Sequence, residues 1–563
     1  MKIALAQINP IIGDLSGNKE KILSYVEQAR RENAELIVFS ELALTGWPPK
    51  DLLLRKEFIQ AAEQANEDIL PHSSGIGVLL GTISFEPSTG KLYNSALLMD
   101  DGKITGRVHK TRLQNRYLFD ETNYFTSAQA DTFSQENHLS FRGFQLVVAI
   151  GENLYGHFQQ NDYSNDRNTC VSFTDGSFTD NSSSSESTSL LINLSAIPYQ
   201  YGCLENRQKI LLDMAVKHQT PLLSVNQVGA NDELVFDGSS MVFDKAGNLI
   251  CQGKAFEEQL LYYDTKASHT DVACPKEDIS WVYQALALGI QDFFRKNRFQ
   301  KMLLGLSGGV DSALTACLGV EALGRENILG VYMPSRYSPE NSRDDAKLLA
   351  DNLSIEYRVL PIEKLFADYI HLMNGKEEII GDLAEENIQA RIRGNLLMFI
   401  SNREGHILIN TSNKSESAMG YSTLYGDMCG SLSPLADIPK TMIYRLCDYI
   451  NRDSEVIPVN TLTKPPSAEL RPNQTDQDSL PEYPVLDAII HMFLEEKLSV
   501  NEIVHRGYER ELVLKIVNSI ERTEFKKRQA APMLKITSSS LSRGGTFPML
   551  QRFQRNAQDN GSV

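Results

Sequence analysis

Short apolar runs alternate with longer amphipathic stretches through the first 265 residues. The opening run, Met1 to Asn9, alternates like a strand, a helix-like stretch follows from about Asn18 to Asn33, and the run from Glu35 to Phe39 is strand-like again. Further runs of strand length cover residues 76–82, 94–99, 144–150, 189–193 and 221–226, and residues 241–250 carry the turn signal of a hairpin. Strands that alternate with helices in this way predict an α/β fold in which helices cover sheets.

A second α/β pattern begins at about Ile279, after a polar stretch from 266 to 278. Apolar runs before Ser307, at 328–333 and at 406–410 read as strands, and residues 342–353 read as a helix. This repetition predicts a doubly wound parallel sheet of the nucleotide-binding kind. A chain of 563 residues also exceeds what one hydrophobic core normally supports. We therefore expect two domains, residues 1–265 and 279–563.

Charge and cysteine usage narrow the classes of function. The net charge of -17 argues against a nucleic-acid or anionic-membrane partner, because basic residues would have to dominate one face. The seven cysteines show no CxxC spacing, so no zinc site of that pattern is expected. No apolar run is long enough to cross a bilayer, and the start does not resemble a signal peptide. We expect a cytoplasmic protein.

The segment Ser307-Gly308-Gly309-Val310-Asp311-Ser312 links a predicted strand to a predicted helix. Adjacent glycines let backbone N–H groups approach an anion, and the helix presents its positive end to it. The segment lacks the lysine of the GxxxxGK[ST] loop, which disfavours γ-phosphate transfer of that type. Asp311 suggests a Mg²⁺ ligand. A plain turn is the alternative for a Ser-Gly-Gly alone, but the whole segment resembles the pyrophosphate loop of the ATP pyrophosphatases.

The first half contains a glutamate directly after an apolar strand, Glu41, and a lysine, Lys110, in the segment His109-Lys110-Thr111-Arg112. With Phe119-Asp120-Glu121 downstream, this half resembles the nitrilase-type amidases. The resemblance implies an α-β-β-α sandwich and a triad of glutamate as base, lysine as oxyanion stabiliser and cysteine as nucleophile. Glu41 and Lys110 match the first two members.

The position of the nucleophile is occupied by Gly151, in the run Val147 to Leu154. Glycine has no side chain that could form a thioester, so glutamine hydrolysis by this route is excluded. Three aligned pocket positions have also changed, to Arg116, Ile197 and Cys203, and Ile197 cannot hydrogen-bond a glutamine head group. The alternative is a relocated thiol, for which the nearest candidates in sequence are Cys170 and Cys203.

The second half resembles the synthetase domain of the glutamine-dependent NAD synthetases. The resemblance runs through the segments 411–416, 437–441, 466–472, 477–481 and 525–529. It implies ATP-dependent amidation of deamido-NAD(+) to NAD(+) with release of AMP and pyrophosphate, with ATP and Mg²⁺ as co-substrate and metal and no tightly bound organic cofactor. The ATP-binding residues implied are Gly305, Leu306, Ser307, Gly308, Gly309, Val310, Asp311, Ser312, Thr411 and Lys440. Those implied for deamido-NAD(+) are Arg391, Asn395, Glu416 and Lys526, and the metal ligands are Asp311 and Glu416.

The two halves together imply a ligase of this family that uses free ammonia, since its amidase-like half lacks the nucleophile. Glutamine remains the alternative nitrogen source if a thiol has been relocated, and a regulatory or scaffold role is the alternative for the first half. The family resemblance also implies a homo-oligomer. The serine-rich stretch from Asp175 to Ser189 is expected to be a solvated loop.

Overall fold

The computed structural model describes residues 1–116, 119–128, 138–155, 188–270, 272–375, 380–541 and 547–551. Its backbone divides into two compact units, 1–300 with 534–538 and 301–533 with 539–563. The candidate thiol Cys170 and residues 175–187 of the serine-rich stretch lie outside the described residues. No helix within the described ranges has the length and apolar character needed to span a membrane.

The first unit contains two six-stranded mixed sheets. One has the strand order β16-β1-β2-β3-β4-β5 and the other β15-β14-β11-β10-β9-β8. The first sheet comprises β1 (Lys2–Gln7), β2 (Leu36–Phe39), β3 (Gly77–Glu86), β4 (Lys91–Asp100), β5 (Lys103–His109) and β16 (Gln259–Asp264). The second comprises β8 (His138–Phe141), β9 (Phe144–Ile150), β10 (Thr188–Ser195), β11 (Leu222–Asn226), β14 (Met241–Phe243) and β15 (Leu249–Gln252). Two short hairpins, β6 (Asn115–Arg116) with β7 (Phe119–Asp120) and β12 (Val228–Asn231) with β13 (Leu234–Asp237), complete the strands of this unit.

The described residues of this unit form four α-helices, α1 (Leu15–Arg31), α2 (Lys56–Ile69), α3 (Leu204–His218) and α4 (Ile279–Lys296). One apolar cluster contains residues of both sheets, among them Val38 of β2 and Ile192 of β10. A second cluster joins α1 and α2 to the first sheet, and a third joins α3 to the second sheet. The layers are therefore helix, sheet, sheet, helix, which confirms the predicted sandwich.

Helix α4 packs on β12 and β13 in the first unit. The buried carboxylate of Asp292 accepts hydrogen bonds from Asn9 Nδ2 and from the Ala230 N–H, both at 2.7 Å. Lys296 Nζ donates to Asn9 Oδ1 at 2.7 Å and to Asn231 Oδ1 at 2.8 Å. These polar contacts hold the helix against the unit, because a buried charge is stable only when it is paired and hydrogen-bonded.

The second unit contains a four-stranded parallel sheet of order β19-β18-β17-β20. Its strands are β17 (Lys301–Gly305), β18 (Ile328–Tyr332), β19 (Glu356–Val359) and β20 (His406–Leu408). The chain passes from β17 outward to β19 and then returns to place β20 on the other side of β17. This reversal confirms the doubly wound order, and in folds of this kind ligands generally bind beyond the carboxyl ends of the strands at such a point.

Eleven helices accompany this sheet within the described ranges. They are α5 (Val310–Leu323), α6 (Glu340–Leu353), α7 (Glu363–Asn374), α8 (Leu383–Glu404), α9 (Lys414–Met419), α10 (Lys440–Ile450), α11 (Val459–Thr463), α12 (Tyr483–Leu494), α13 (Val500–His505), α14 (Arg510–Arg522) and α15 (Glu524–Lys527). Helices α7 and α8 share an apolar core with β17 and β18, and α9, α12, α13 and α14 form a separate helical core. The strand, loop and helix predicted around Ser307 are confirmed as β17, residues 306–309 and α5.

Candidate active sites

Four polar side chains meet in the first unit beyond the carboxyl end of β2. Lys110 Nζ donates to Glu41 Oε1 at 2.8 Å and lies 2.9 Å from the carboxylate of Glu121. Asn94 Nδ2 donates to the same Glu41 oxygen at 2.7 Å. Gly81 lets the backbone just before Glu41 pack closely against β3, since a Cβ on Gly81 would lie 2.1 Å from the Ser40 carbonyl oxygen. The structure therefore brings Glu41 and Lys110 together, although 69 residues separate them in sequence.

Burial sets the electrostatics of this cluster. The side chains of Glu41 and Lys110 are each 3% exposed, and that of Glu121 is 1% exposed. Burial raises the pKa of Glu41, and the charge of Glu121 adds to that rise while Lys110 opposes it. Burial alone would lower the pKa of Lys110, but the two carboxylates outweigh it and raise the pKa. Lys110 therefore stays protonated between two carboxyl groups.

Gly151 lies against this cluster at the end of β9. Its φ is +60°, in the left-handed region that favours glycine. A Cβ on Gly151 would lie 2.8 Å from both Glu41 Oε2 and Lys110 Nζ, closer than carbon contacts allow. A larger residue at 151 would therefore require the flexible ends of both Glu41 and Lys110 to shift.

The other aligned pocket residues lie at separate places in the first unit. Ile197 packs against the apolar cluster between the second sheet and α3, and its N–H donates to Asn226 Oδ1 at 2.8 Å. Arg116 lies in β6. Cys203 is the residue immediately before α3 and is disulfide-bonded, so it does not provide the free thiol that a relocated nucleophile would need. An isoleucine that is part of an apolar cluster offers no hydrogen bond to an amide ligand.

The phosphate loop of the second unit has a defined local geometry. Gly308 has φ of +79°, and a Cβ on it would lie 2.4 Å from the Ser342 carbonyl oxygen in α6. Ser307 Oγ accepts from the Gly309 N–H at 3.1 Å and lies 3.1 Å from Ser312 Oγ. Gly309 is the N-cap of α5 and supplies no side-chain cap. The positive end of α5 is thus available to an anion held by the loop.

A buried lysine joins the two predicted metal ligands beside this loop. Lys440 Nζ lies 2.5 Å from Asp311 Oδ2 and 3.4 Å from Glu416 Oε1. Asn413 Nδ2 donates to Asp311 Oδ1 at 3.0 Å, and Asn413 and Glu416 form a capping box at the start of α9. The capping box orients the Glu416 carboxylate because each residue accepts from the backbone of the other.

Mutual charge and burial shift the protonation of these groups. Burial raises the pKa of Glu416 to about 8, with Lys440 opposing the rise and Asp311 adding to it. Burial would lower the pKa of Lys440, but Asp311 and Glu416 outweigh it and raise the pKa. Ionisable groups that shift each other in a crevice are typical of sites that handle charged ligands.

Comparisons with known proteins match both units. The carbon-nitrogen hydrolase family matches residues 2–272, and the NAD synthase family matches residues 282–530. A glutamine-dependent NAD(+) synthetase from Synechocystis sp. is 42% identical over 569 residues, covering 98% of this chain and 99% of the relative. The corresponding Aquifex aeolicus protein is 37% identical over 591 residues, covering 98% and 100%. The chain belongs to the glutamine-dependent NAD(+) synthetase family.

Solved structures agree with this NAD(+) synthetase assignment. The Acinetobacter baumannii glutamine-dependent NAD(+) synthetase, solved in complex with ADP, is 31% identical with a TM-score of 0.72, and the match covers 97% of this chain and 98% of that one. The Cytophaga hutchinsonii protein is 22% identical with a TM-score of 0.80 and 98% coverage of both chains, which shows a shared fold. The chain is thus a member of a ligase family of NAD(+) biosynthesis.

Two of the four residues expected to contact deamido-NAD(+) in an NAD(+) synthetase bond to one loop of the second unit. Arg391 Nε donates to the Leu424 carbonyl oxygen at 3.2 Å. Lys526 Nζ donates to the carbonyl oxygens of Gly420 at 2.8 Å and Ser422 at 2.7 Å. Asn395 lies one turn after Arg391 on α8 and is exposed, Glu416 belongs to the Lys440 cluster, and Thr411 is half-buried after β20. Arg391 in α8 and Lys526 in α15 therefore both hydrogen-bond to backbone carbonyl oxygens of the same loop, residues 420–424.

Several residues of these sites had no role that could be predicted from the sequence. Glu121 and Asn94 join the Glu41 cluster, and Asn413 bridges Asp311 to α9. The segment Phe119-Asp120-Glu121 contributed to the amidase resemblance, but its spacing gave Glu121 no role. These side chains act through contacts between distant segments, which residue spacing along the chain does not encode.

The predicted metal ligands suit Mg²⁺ bound together with a nucleotide. Within the described ranges, no group of three or more His, Cys, Asp or Glu side chains is arranged to hold a metal ion. Asp311 and Glu416 supply two carboxylates that share one lysine. Mg²⁺ commonly takes one or two protein carboxylates and completes its shell with phosphate oxygens and water. The donor set therefore fits a Mg²⁺ that arrives with ATP.

Proposed function

We propose that this chain is an ATP-dependent NAD synthetase that amidates deamido-NAD(+) with free ammonia, and that its amidase-like unit does not hydrolyse glutamine. Gly151 carries the proposal. The position has no nucleophilic side chain, and it lies directly against the base and the lysine, since a Cβ there would lie 2.8 Å from both Lys110 Nζ and Glu41 Oε2. Covalent amide hydrolysis needs a nucleophile within hydrogen-bond reach of its base.

The second unit supplies positioning and charge for the ligase reaction. The carboxylate of deamido-NAD(+) attacks the α-phosphate of ATP, the bond to the β-phosphate breaks, and pyrophosphate leaves. The loop from Gly305 to Ser312 and the start of α5 would hold the pyrophosphate, and Lys440 would place its charge beside it. Bound Mg²⁺, held by Asp311 and Glu416, would neutralise charge on the leaving oxygens.

Ammonia completes the reaction. Its nitrogen lone pair attacks the acyl carbon of the adenylate, the bond to AMP breaks, and one proton is released as the amide of NAD(+) forms. Arg391, Asn395 and Lys526 are the residues proposed to hold the dinucleotide for this step. No covalent intermediate with the enzyme is required, so orientation and electrostatic stabilisation supply the catalysis.

The nitrogen source tests this proposal. Purified protein with deamido-NAD(+) and MgATP is expected to form NAD(+) with ammonium as the only nitrogen source. With glutamine alone, the rate should be at least ~1000-fold lower, since enzymes that lose a covalent nucleophile fall by such factors or more. Formation of NAD(+) and release of glutamate are both measured, with ammonia-free glutamine.

The variant Gly151→Cys is the matched control for that experiment. It places a thiol beside Glu41 and Lys110, but glutamine-driven turnover should stay low because the pocket retains Ile197, which cannot hydrogen-bond an amide. Equal turnover of the wild type with glutamine and ammonium would refute the proposal. Thiol alkylation that stops only the glutamine-driven rate would then identify a relocated nucleophile.

Glu416 makes metal dependence sensitive to pH. With a pKa of about 8, its carboxyl group is protonated below that pH and must lose the proton before it can ligate a cation. Raising the pH from 7 to 8 at saturating ammonium should therefore strengthen the apparent Mg²⁺ affinity by about fivefold. Titration of Mg²⁺ at each pH measures this. Glu416→Gln should bind Mg²⁺ more weakly and lose the dependence, and a wild-type affinity unchanged from pH 7 to 9 would contradict it.

An apolar stripe on α7 supports the expected homo-oligomer. Leu365, Tyr369, Leu372 and Met373 recur at helical spacing, and the last two side chains are each 77% exposed. Apolar residues concentrated on one exposed face of a helix are typical of a contact surface. We expect light scattering to give at least twice the 63.0 kDa chain mass and the double variant Leu372→Glu, Met373→Glu to give a smaller assembly. A wild-type mass of 63.0 kDa would contradict this.

A further inference from the structure

The start of helix α10 is capped by residues from two other helices. Its N-cap is Pro439, which offers no side-chain cap. The Lys440 N–H donates to Ser415 Oγ at 2.9 Å, and the Thr441 N–H donates to Asp487 Oδ2 at 2.8 Å. Ser415 Oγ in turn donates to Asp487 Oδ1. Since the first N–H groups of a helix have no partner within it, these two side chains replace the missing cap.

This arrangement connects helices α9, α10 and α12. Ser415 lies in α9 beside Glu416, Lys440 begins α10, and Asp487 lies in α12. All three connecting groups are buried, with Ser415 at 0%, Lys440 at 2% and Asp487 at 7% exposure. A buried carboxylate that accepts from a helix N-terminus and from a hydroxyl fixes both partners strongly, because charged hydrogen bonds are short and directional.

We propose that Asp487 is a positioning residue for Lys440. It holds the first turn of α10 against α9, so that the Lys440 ammonium stays between Asp311 and Glu416 and meets the departing pyrophosphate. Asp487 does not touch a substrate and acts only through Lys440. The inference rests on the proposed function, in which Lys440 stabilises the nucleotide phosphates.

A purely structural role for Asp487 would predict a different pattern of effects. Loss of a buried hydrogen-bonded carboxylate also destabilises the fold, so reduced activity alone would not separate the two roles. An effect transmitted through Lys440 must disappear when Lys440 no longer carries its charge. A general loss of packing would lower turnover by the same factor whether or not that charge is present.

The experiment is a double-mutant cycle in the full chain. The variant Asp487→Asn keeps the size of the side chain, but its amide nitrogen cannot accept a hydrogen bond. With ammonium as nitrogen source, this variant should lower kcat/KM for MgATP by about tenfold. In the Lys440→Met background the same change should alter kcat/KM less than twofold. Ser415→Ala, a milder change, should lower kcat/KM in the wild type and add little to Asp487→Asn.

Asp292→Asn in α4 is the matched control, because Asp292 is also buried and also accepts from a backbone N–H and a side chain. It should lower the melting temperature and leave kcat/KM for MgATP within twofold. An equal fall in kcat/KM on Asp487→Asn in both backgrounds, or a comparable fall in kcat/KM for Asp292→Asn, would overturn the inference.

Wild-type turnover tests the proposed function separately. If the wild type shows none, calorimetric binding of MgATP to the same variants gives the same comparison.

Discussion

Gly308→Ala should lower kcat/KM for MgATP by ~100-fold or more with ammonium as nitrogen source. A Cβ at this position would lie 2.4 Å from the Ser342 carbonyl oxygen, which is backbone and cannot rotate away. The φ of +79° adds strain of about 1 kcal/mol for any residue other than glycine. The loop must therefore shift away from α6, and a shift of about 1 Å in a site that works by orientation is costly. Steady-state kinetics with varied MgATP measure the loss.

Gly375→Ala controls for the backbone strain alone. Gly375 follows α7 with φ of +67°, and a Cβ there would meet nothing within 4 Å. This variant should lower stability slightly and leave kcat/KM unchanged. If both alanine variants retain wild-type kinetics, the loop does not hold the nucleotide in the manner proposed.

Lys440→Met should lower kcat by about 1000-fold. The methionine keeps most of the apolar volume but removes the only positive charge recorded within salt-bridge distance of Asp311 and Glu416 in the described structure. The two carboxyl groups would then repel each other, and the developing charge on pyrophosphate would lose a preorganised partner. Single-turnover measurement of pyrophosphate release separates this chemical step from substrate binding.

Lys110→Met is the corresponding control in the first unit. Lys110 is also buried between two carboxylates, at 2.8 and 2.9 Å. Removing either lysine leaves buried carboxyl groups without their partner, which typically lowers the free energy of unfolding by roughly 3 to 5 kcal/mol. Under the proposed function, Lys110→Met should share the loss of stability but retain ammonium-driven turnover. Equal kinetic losses in both variants would indicate that loss of folded protein, and not loss of the Lys440 charge, lowers turnover.

The fold followed closely from the sequence because local patterns specified it. Strand β9 was predicted at its observed residues, and helix α1 was displaced by only three residues at its start and two at its end. The phosphate loop was clear because adjacent glycines and the following apolar helix each have a local physical cause. In the candidate amidase cluster, Glu41 was marked by its place directly after a buried strand.

Other features depend on contacts that only folding creates. Glu121 reaches Lys110 through the turn after β7, and Asp487 reaches α10 from a helix that begins more than forty residues later. Helix α4 was grouped with the synthetase half because it follows a polar stretch, whereas its buried Asp292 and Lys296 are bonded to residues of the first unit. Sequence patterns report periodicity along a segment, and such partners are chosen by tertiary packing.

The filled space around Gly151 has an evolutionary consequence. A codon change at position 151 to cysteine would place a thiol beside Lys110 and Glu41, on a backbone whose φ of +60° favours glycine. Recovery of glutamine use would also require a polar residue in place of Ile197, which now belongs to an apolar cluster. Under the proposed function, a lineage with this pocket would depend on cells, or on partner enzymes, that supply ammonia.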